Sequence, residues 1–199
     1  MTKQRSLAVL AVLMLAAGLA GCASSGPAPT RYTLPVATGS AAGIEARHLL
    51  LLSPPRLAHY LDVDGLVMQV DDITLVEARG HQWAEALGRQ LERGLRLRLA
   101  ARLPDTRVMR DEAGVSEPDA LALRLEIDRF QGRHDGRAVI GGQWQLRDAK
   151  GSLLAMDSLR VEAELDDDGY PALVRALGRG WDSAADELAE ALRRARRQE

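Results

Sequence analysis

Apolar positions along the chain fall into two rhythms, after an unbroken apolar run from Leu7 to Ala20. Period two marks half-buried strands, because successive side chains of a strand point to opposite faces. Arg31–Leu34 reads as a short strand and Thr38–Gly43 as a loose stretch. His48–Leu52 is an apolar run stopped by Pro54 and Pro55, as expected of a buried strand that ends abruptly. Leu66, Met68 and Val70 alternate with polar residues, and Ile73 and Leu75 resume after Asp71 and Asp72, which predicts a hairpin or bent strand. Later, Leu121, Leu123, Leu125 and Ile127 alternate with Ala122, Arg124, Glu126 and Asp128. Ile140, Trp144 and Leu146 stay in phase across Gly141 and Gly142, and Leu159, Val161, Ala163 and Leu165 repeat the rhythm. Short connections make these three an antiparallel meander.

The second rhythm is helical. Trp83, Leu87, Leu91, Leu95 and Leu99 recur every four residues, so the spacing predicts a helix over about His81–Ala101, with Arg and Glu on the opposite face. Gly88 and Gly94 inside it leave room for a close neighbour, and Pro104 closes the segment. A second helix opens at Asp168-Gly169-Tyr170-Pro171, where proline suits a first turn. Leu173, Leu177, Trp181, Ala185, Leu188 and Leu192 form its stripe. Arg193, Arg194, Arg196 and Arg197 complement the negative end of its dipole. The order strands, helix, strands, helix predicts an α+β fold in two layers: a mixed, mostly antiparallel sheet with two main helices packed on one face. Trp83 and Trp181 are read as core residues.

The first apolar run has 14 residues and follows Lys3 and Arg5. It fits the roughly 7–15 residues of a signal-peptide core and falls short of the ~20 of a membrane-spanning helix. It ends in Leu19-Ala20-Gly21-Cys22, which resembles the lipobox of bacterial lipoproteins, where the cysteine is acylated and becomes the first mature residue. Residues 1–21 are therefore read as a signal peptide, and 22–30 as a lipidated cysteine with a flexible leash. Residues 31–199 are read as a single α+β domain. The leash, Ala-Ser-Ser-Gly-Pro-Ala-Pro-Thr, has nothing to bury. Cys22 is the only cysteine, so no intrachain disulfide forms.

Removing the signal peptide takes away two cations and no acid, so the net charge moves from −2 to −4. That balance argues against nucleic-acid binding. Phosphate loops, a Gly-x-Ser-x-Gly elbow and a His-Glu-x-x-His helix are absent from the sequence. The four histidines, His48, His59, His81 and His134, are scattered. Asp166-Asp167-Asp168 lacks the spaced acids and terminal glutamate of a calcium loop and reads as a solvated turn. We expect no enzyme, no metal and no cofactor beyond the covalent lipid on Cys22.

Several segments are similar to the ABC-type transport auxiliary lipoproteins, the PqiC (paraquat-inducible protein C) family. They are Leu19-Ala-Gly-Cys22; Arg31-Tyr-Thr-Leu34; Leu57-Ala-His-Tyr-Leu-Asp62 after a Pro-rich strand end; and His81-Gln-Trp-Ala-Glu-Ala-Leu87. Ala58 and Ala86 stand where that family would lead one to expect proline. The resemblance implies a non-catalytic accessory of an envelope lipid-transport system, working with a membrane-anchored MCE-domain (mammalian cell entry) protein. Ala23 after the cysteine fits the outer-membrane, periplasm-facing placement usual for such lipoproteins.

Two other readings come from the residues alone. One is a stand-alone lipid- or small-molecule-binding lipoprotein, which needs an apolar cavity between helices and sheet. The other is a structural lipoprotein bridging membrane and cell wall. Pro54–Asp62 is the candidate contact surface, with Arg56, Leu57 and Tyr60 its best residues, because tyrosine and arginine are favoured at interface hot spots. It would assemble a homo-oligomer or dock the MCE-type partner; the competing reading is a loop that caps the core.

Overall fold

The computed structural model describes residues 27–36, 46–112 and 119–197. The signal peptide, Cys22, the first part of the leash and the stretch Thr38–Gly43 lie outside the described residues. Nine strands form one sheet: β1 (Thr30–Tyr32), β2 (His48–Leu52), β3 (Arg56–Leu57), β4 (Gly65–Gln69), β5 (Leu75–Trp83), β6 (Thr106–Arg110), β7 (Leu121–Arg133), β8 (Arg137–Arg147) and β9 (Leu153–Glu164). Two helices, α1 (Leu87–Arg102) and α2 (Tyr170–Arg196), complete the second layer.

The longest strand, β7, organises the sheet. One edge pairs antiparallel with β8 along nearly its whole length, and β8 pairs likewise with β9. The other edge is shared by three strands in succession, all parallel to it: β2 at Leu121–Leu123, β3 at Glu126–Ile127 and β4 at Gly132–Arg133. Two wings grow outward from there, β6 beside β2, and β5 then β1 beside β4. The longest pairings are antiparallel and the short ones mostly parallel, so the sheet is mixed, as the alternation predicts.

A bulge in β7 between Ile127 and Arg129 lies opposite Gly142, which has φ +157°. A Cβ there would sit 2.0 Å from the Glu126 carbonyl oxygen, so only glycine fits. The inner face of the sheet buries Leu50, Leu52, Leu123, Leu125, Ile127, Phe130, Ile140 and Leu159 against both helices. Leu87, Leu91, Leu95 and Leu99 of α1, and Leu173, Leu177, Trp181, Leu188 and Leu192 of α2, face them as the helical spacing predicts. Phe130 meets the Trp181 ring edge-on at 6.0 Å, and Trp181 donates its indole N–H to the Leu91 carbonyl.

Three expectations change. First, α1 does not begin at His81. Residues 81–83 continue β5, because β1 pairs with them and Trp83 donates its N–H to the Asp64 carbonyl. Trp83 is buried from a strand, and its four-residue spacing to Leu87 crosses a link at Ala84–Ala86. Second, β3 and β6 are additional strands. Third, the meander's first strand runs on to Arg133 and ends at the Asp135-Gly136 turn.

Candidate functional site

The leash joins the fold through β1 and a strap that follows it. Tyr32 hydrogen-bonds His81 Nδ1 at 2.8 Å, and the His81 ring stacks on Tyr170 at 3.9 Å, where α2 begins. Leu34 enters the core, and its N–H donates to Gln90 Oε1 at 2.9 Å. Gln90 in turn donates to the Glu85 carbonyl, so its buried amide has partners at both ends. Pro35 is held from two sides. Its ring fills a slot at Gly178, where a Cβ would lie 2.8 Å from the ring. Its carbonyl accepts from Arg98 Nη2 at 2.9 Å.

Arg98 is the polar centre of this joint. Its side chain is 1% exposed, yet it donates to Asp182 of α2 at 2.8 Å, to Gly94 O at 3.3 Å and to Pro35 O. A buried guanidinium is tolerable only when paired and hydrogen-bonded, and here one residue ties strap, α1 and α2 together. The helical spacing sets Arg and Glu opposite the leucine stripe, yet Arg98 falls seven residues after Leu91, on the stripe itself, and Arg98, Glu92 and the neighbouring Gln90 are all buried. The signal for Gln90 and Arg98 was the Tyr32-Thr-Leu-Pro35 stretch, whose polar backbone needs partners once Leu34 is inside, whereas Glu92 is paired with Arg110 of β6.

Pro54–Asp62 is the second candidate. Pro54 and Pro55 lift the chain off β7, and it returns as β3, with Ala58 N–H donating to the Ile127 carbonyl. The three candidate residues part company here. Arg56 has a side chain 84% exposed and an ion pair with Glu126 at 3.7 Å. Leu57 is half-buried and lies against Gly88. Tyr60 donates its hydroxyl to the Asp128 carbonyl and reaches Gln131 Oε1 at 3.0 Å, which pins it to the bulge of β7. Burial, helped by the Asp128 charge, raises its phenol above the usual value, and Arg129 offsets part of this.

Arg56 borders an open groove of about 520 Å³ on the sheet face away from the helices, together with Ser53, Pro54, Arg124, Glu126 and Gln145. Its lining is charged and polar. Sequence reasoning saw Arg124 and Gln145 only as outward positions of strands. The two-residue length of β3, which opens the groove, has no signal beyond the paired prolines.

The remaining candidates are accounted for locally. Asp166 pairs with Arg179 at 2.7 Å. Arg193 donates to the Arg102 carbonyl and Arg196 to Thr106 Oγ1, so the last turn of α2 clasps the end of α1 and the start of β6. Among the described residues no group of three His, Cys, Asp or Glu side chains is placed to hold a metal ion. None of the described helices is long and apolar enough to cross a membrane.

Comparison with known proteins fits this arrangement. A family described as the ABC-type transport auxiliary lipoprotein component matches residues 32–189, from Tyr32 of the strap into the last turns of α2. The intermembrane transport lipoprotein PqiC of Escherichia coli is 31% identical over 186 residues, covering 92% of this chain and 96% of that one. The Shigella flexneri protein of the same name matches equally. A crystal structure of an uncharacterized protein shares the fold with a TM-score of 0.72 at 28% identity, covering 83% of this chain and 99% of that chain. A Xanthomonas campestris protein does so with a TM-score of 0.69 at 18% identity, covering 85% and 98%. The chain belongs to the ABC-type transport auxiliary lipoprotein family, whose members are accessory rather than catalytic components.

Proposed function

We propose that this protein is a lipid-anchored accessory of an envelope lipid-transport system, held on the periplasmic face of the outer membrane through acyl chains on Cys22. In this reading it works with an MCE-domain transport protein. The observation that carries it is the match over nearly the whole chain to a relative named for intermembrane transport. The strap supports it physically, because the segment next to the leash is fastened into the core by Leu34, Gln90 and Arg98. Arg56, exposed beside a polar groove, is the contact residue for the partner or for a second copy in a homo-oligomer. Leu57 and Tyr60 shape that surface from beneath.

The test has two arms. Cys22→Ser should release the protein from the membrane fraction or leave it unprocessed; unchanged attachment and processing refute the anchor. A photo-crosslinker at position 56 should capture the MCE-domain protein or a second copy in whole cells, and Arg56→Glu should lower co-purification from mild detergent. Undiminished co-purification in Arg56→Glu would refute this surface, and no co-purification of the parent protein, with crosslinks only to lipid or cell wall, would favour a carrier or a bridge.

A further inference from the structure

The β4–β5 hairpin ends in a finger that the core does not use. Val70 N–H donates to the Thr74 carbonyl and closes the turn, and the Asp71 carboxylate accepts from the N–H groups of Ile73 and Thr74. At this tip Val70, Ile73, Leu75 and Val76 are all exposed, Ile73 by 86%. Val70 and Ile73 lie in the turn, and Leu75 and Val76 open β5 on opposite faces, Leu75 paired with Gln69 and Val76 with Met68. Four clustered aliphatic side chains at the end of a two-stranded projection have no folding role, and such a patch marks a contact.

The direction of β1 says with what. It runs parallel to β5, with Thr30 opposite His81, so the leash arrives from the side of the hairpin tip. From His81 back to Leu75 is six residues of strand, about 20 Å at ~3.4 Å per residue, and the turn adds several more. From Thr30 back to Cys22 is eight residues, at most about 26–29 Å fully extended. At the ~3.1 Å per residue that proline favours, the span is about 25 Å. The finger therefore reaches past the attachment of the leash by about the length of the leash itself. Even a drawn-out leash leaves the tip within reach of the lipid surface.

We propose that the tip of this hairpin, Val70–Val76, is a second membrane contact that dips into the zwitterionic lipid surface to which Cys22 is anchored. The inference rests on Cys22 carrying the lipid. Ile73, Leu75 and Val76 enter the boundary between headgroups and acyl chains, as apolar faces of peripheral proteins do. Asp71 and Asp72 stay at headgroup level, where the ammonium of phosphatidylethanolamine suits them and anionic headgroups repel them. The Asp71 carboxyl is held below its usual range by hydrogen bonds from Ile73 and Thr74. With lipid and finger both engaged, the domain has a fixed tilt and stand-off rather than swinging on its leash.

The test uses the full-length protein, processed and acylated in cells and reconstituted into phosphatidylethanolamine–phosphatidylcholine vesicles. The acylated Cys22 thiol is blocked, so Ile73→Cys can be labelled alone with an environment-sensitive fluorophore, with Leu97→Cys on α1 as control. The expected result is a blue shift at position 73, with quenching by nitroxide-labelled lipid, and neither at position 97. Both should weaken as phosphatidylglycerol replaces the zwitterionic lipid. A chain that floats with the vesicles while position 73 stays water-exposed overturns the proposal and leaves the anchor standing. A blue shift that lipid-borne nitroxide does not quench overturns it as well, in favour of a protein contact. A chain without acyl mass that fails to float overturns the anchor and the finger together.

Discussion

The joint at Arg98 permits an unequal pair of perturbations. In Asp182→Ala the guanidinium stays 1% exposed and loses its only carboxylate within 3 Å. Breaking a fully buried ion pair from one side costs about 3–5 kcal/mol, because a charge is left without compensation. The Asp182 side chain is 43% exposed, so water can occupy part of its place, and the expected cost falls to about 2–3 kcal/mol. In Arg98→Met the buried charge disappears while most of the volume remains. Asp182 is then rehydrated from its open side, and the main loss is the hydrogen bond to Pro35 O, about 1 kcal/mol. Removing the acid should therefore hurt more than removing the base, although the arginine makes more contacts. Urea unfolding of the mature protein in mild detergent measures both, and the gap corresponds to about 2–8 °C in melting temperature for a chain of this size. The double variant should match Arg98→Met alone. Arg98→Met proving the more destabilising would refute the view that desolvation of the charge dominates this joint.

Three further outcomes follow from neighbouring geometry. Gly88→Ala should stabilise by about 0.5–1 kcal/mol, since the new Cβ meets Leu57 at an ordinary 3.7 Å and helix propensity improves. Gly178→Ala should destabilise and loosen the strap, because its Cβ would meet the Pro35 ring at 2.8 Å; thermal melts and proteolysis near Pro35 separate the two. Tyr60→Phe should cost about 1–2 kcal/mol at neutral pH through its lost hydroxyl bonds. The Tyr60 phenol is raised in the fold, so its contribution is complete below pH 10 and falls as pH rises from there through the folded value. Urea midpoints measured across alkaline pH should therefore decline less steeply in Tyr60→Phe than in the parent protein.

Most of this architecture is legible from the pattern of apolar residues, and the exceptions share a cause. Strands β7, β8 and β9 and helix α2 each bury an apolar stripe that period marks, although the bulge of β7 and the buried run Ala138–Gly141 of β8 break its regularity. Strand β6 buries only Thr106 and has no stripe to show; it exists because β2 offers it an edge. The start of α1 was misplaced because Trp83 is four residues from Leu87, and only the pairing with β1 assigns it to a strand. Periodicity also cannot say that three short strands take turns along one edge of β7. That depends on Pro54 and Pro55 breaking the chain between the first two. At the candidate site Arg56 was visible as an exposed interface type. Arg98 was overlooked although it lies on the leucine stripe, seven residues after Leu91, and Gln90 because it borders that stripe and reads as solvated until the strap lies over it.

That strap has a mechanical meaning for a lipid-anchored protein. In the proposed function, a pull between membrane and partner would pass from the leash into β1 and then through Leu34 and Pro35. Strand β1 alone is three residues long, too short to resist much. Behind it lie a core leucine, a buried amide on α1 and a buried guanidinium bridging α1 to α2, so the load spreads into both helices. Loss of β1 and the strap together would free Arg31–Pro35 and lengthen the eight-residue leash by at least those five residues. In that reading, hydrogen bonding at Arg98 and Gln90 would fix where the tether ends and the folded domain begins.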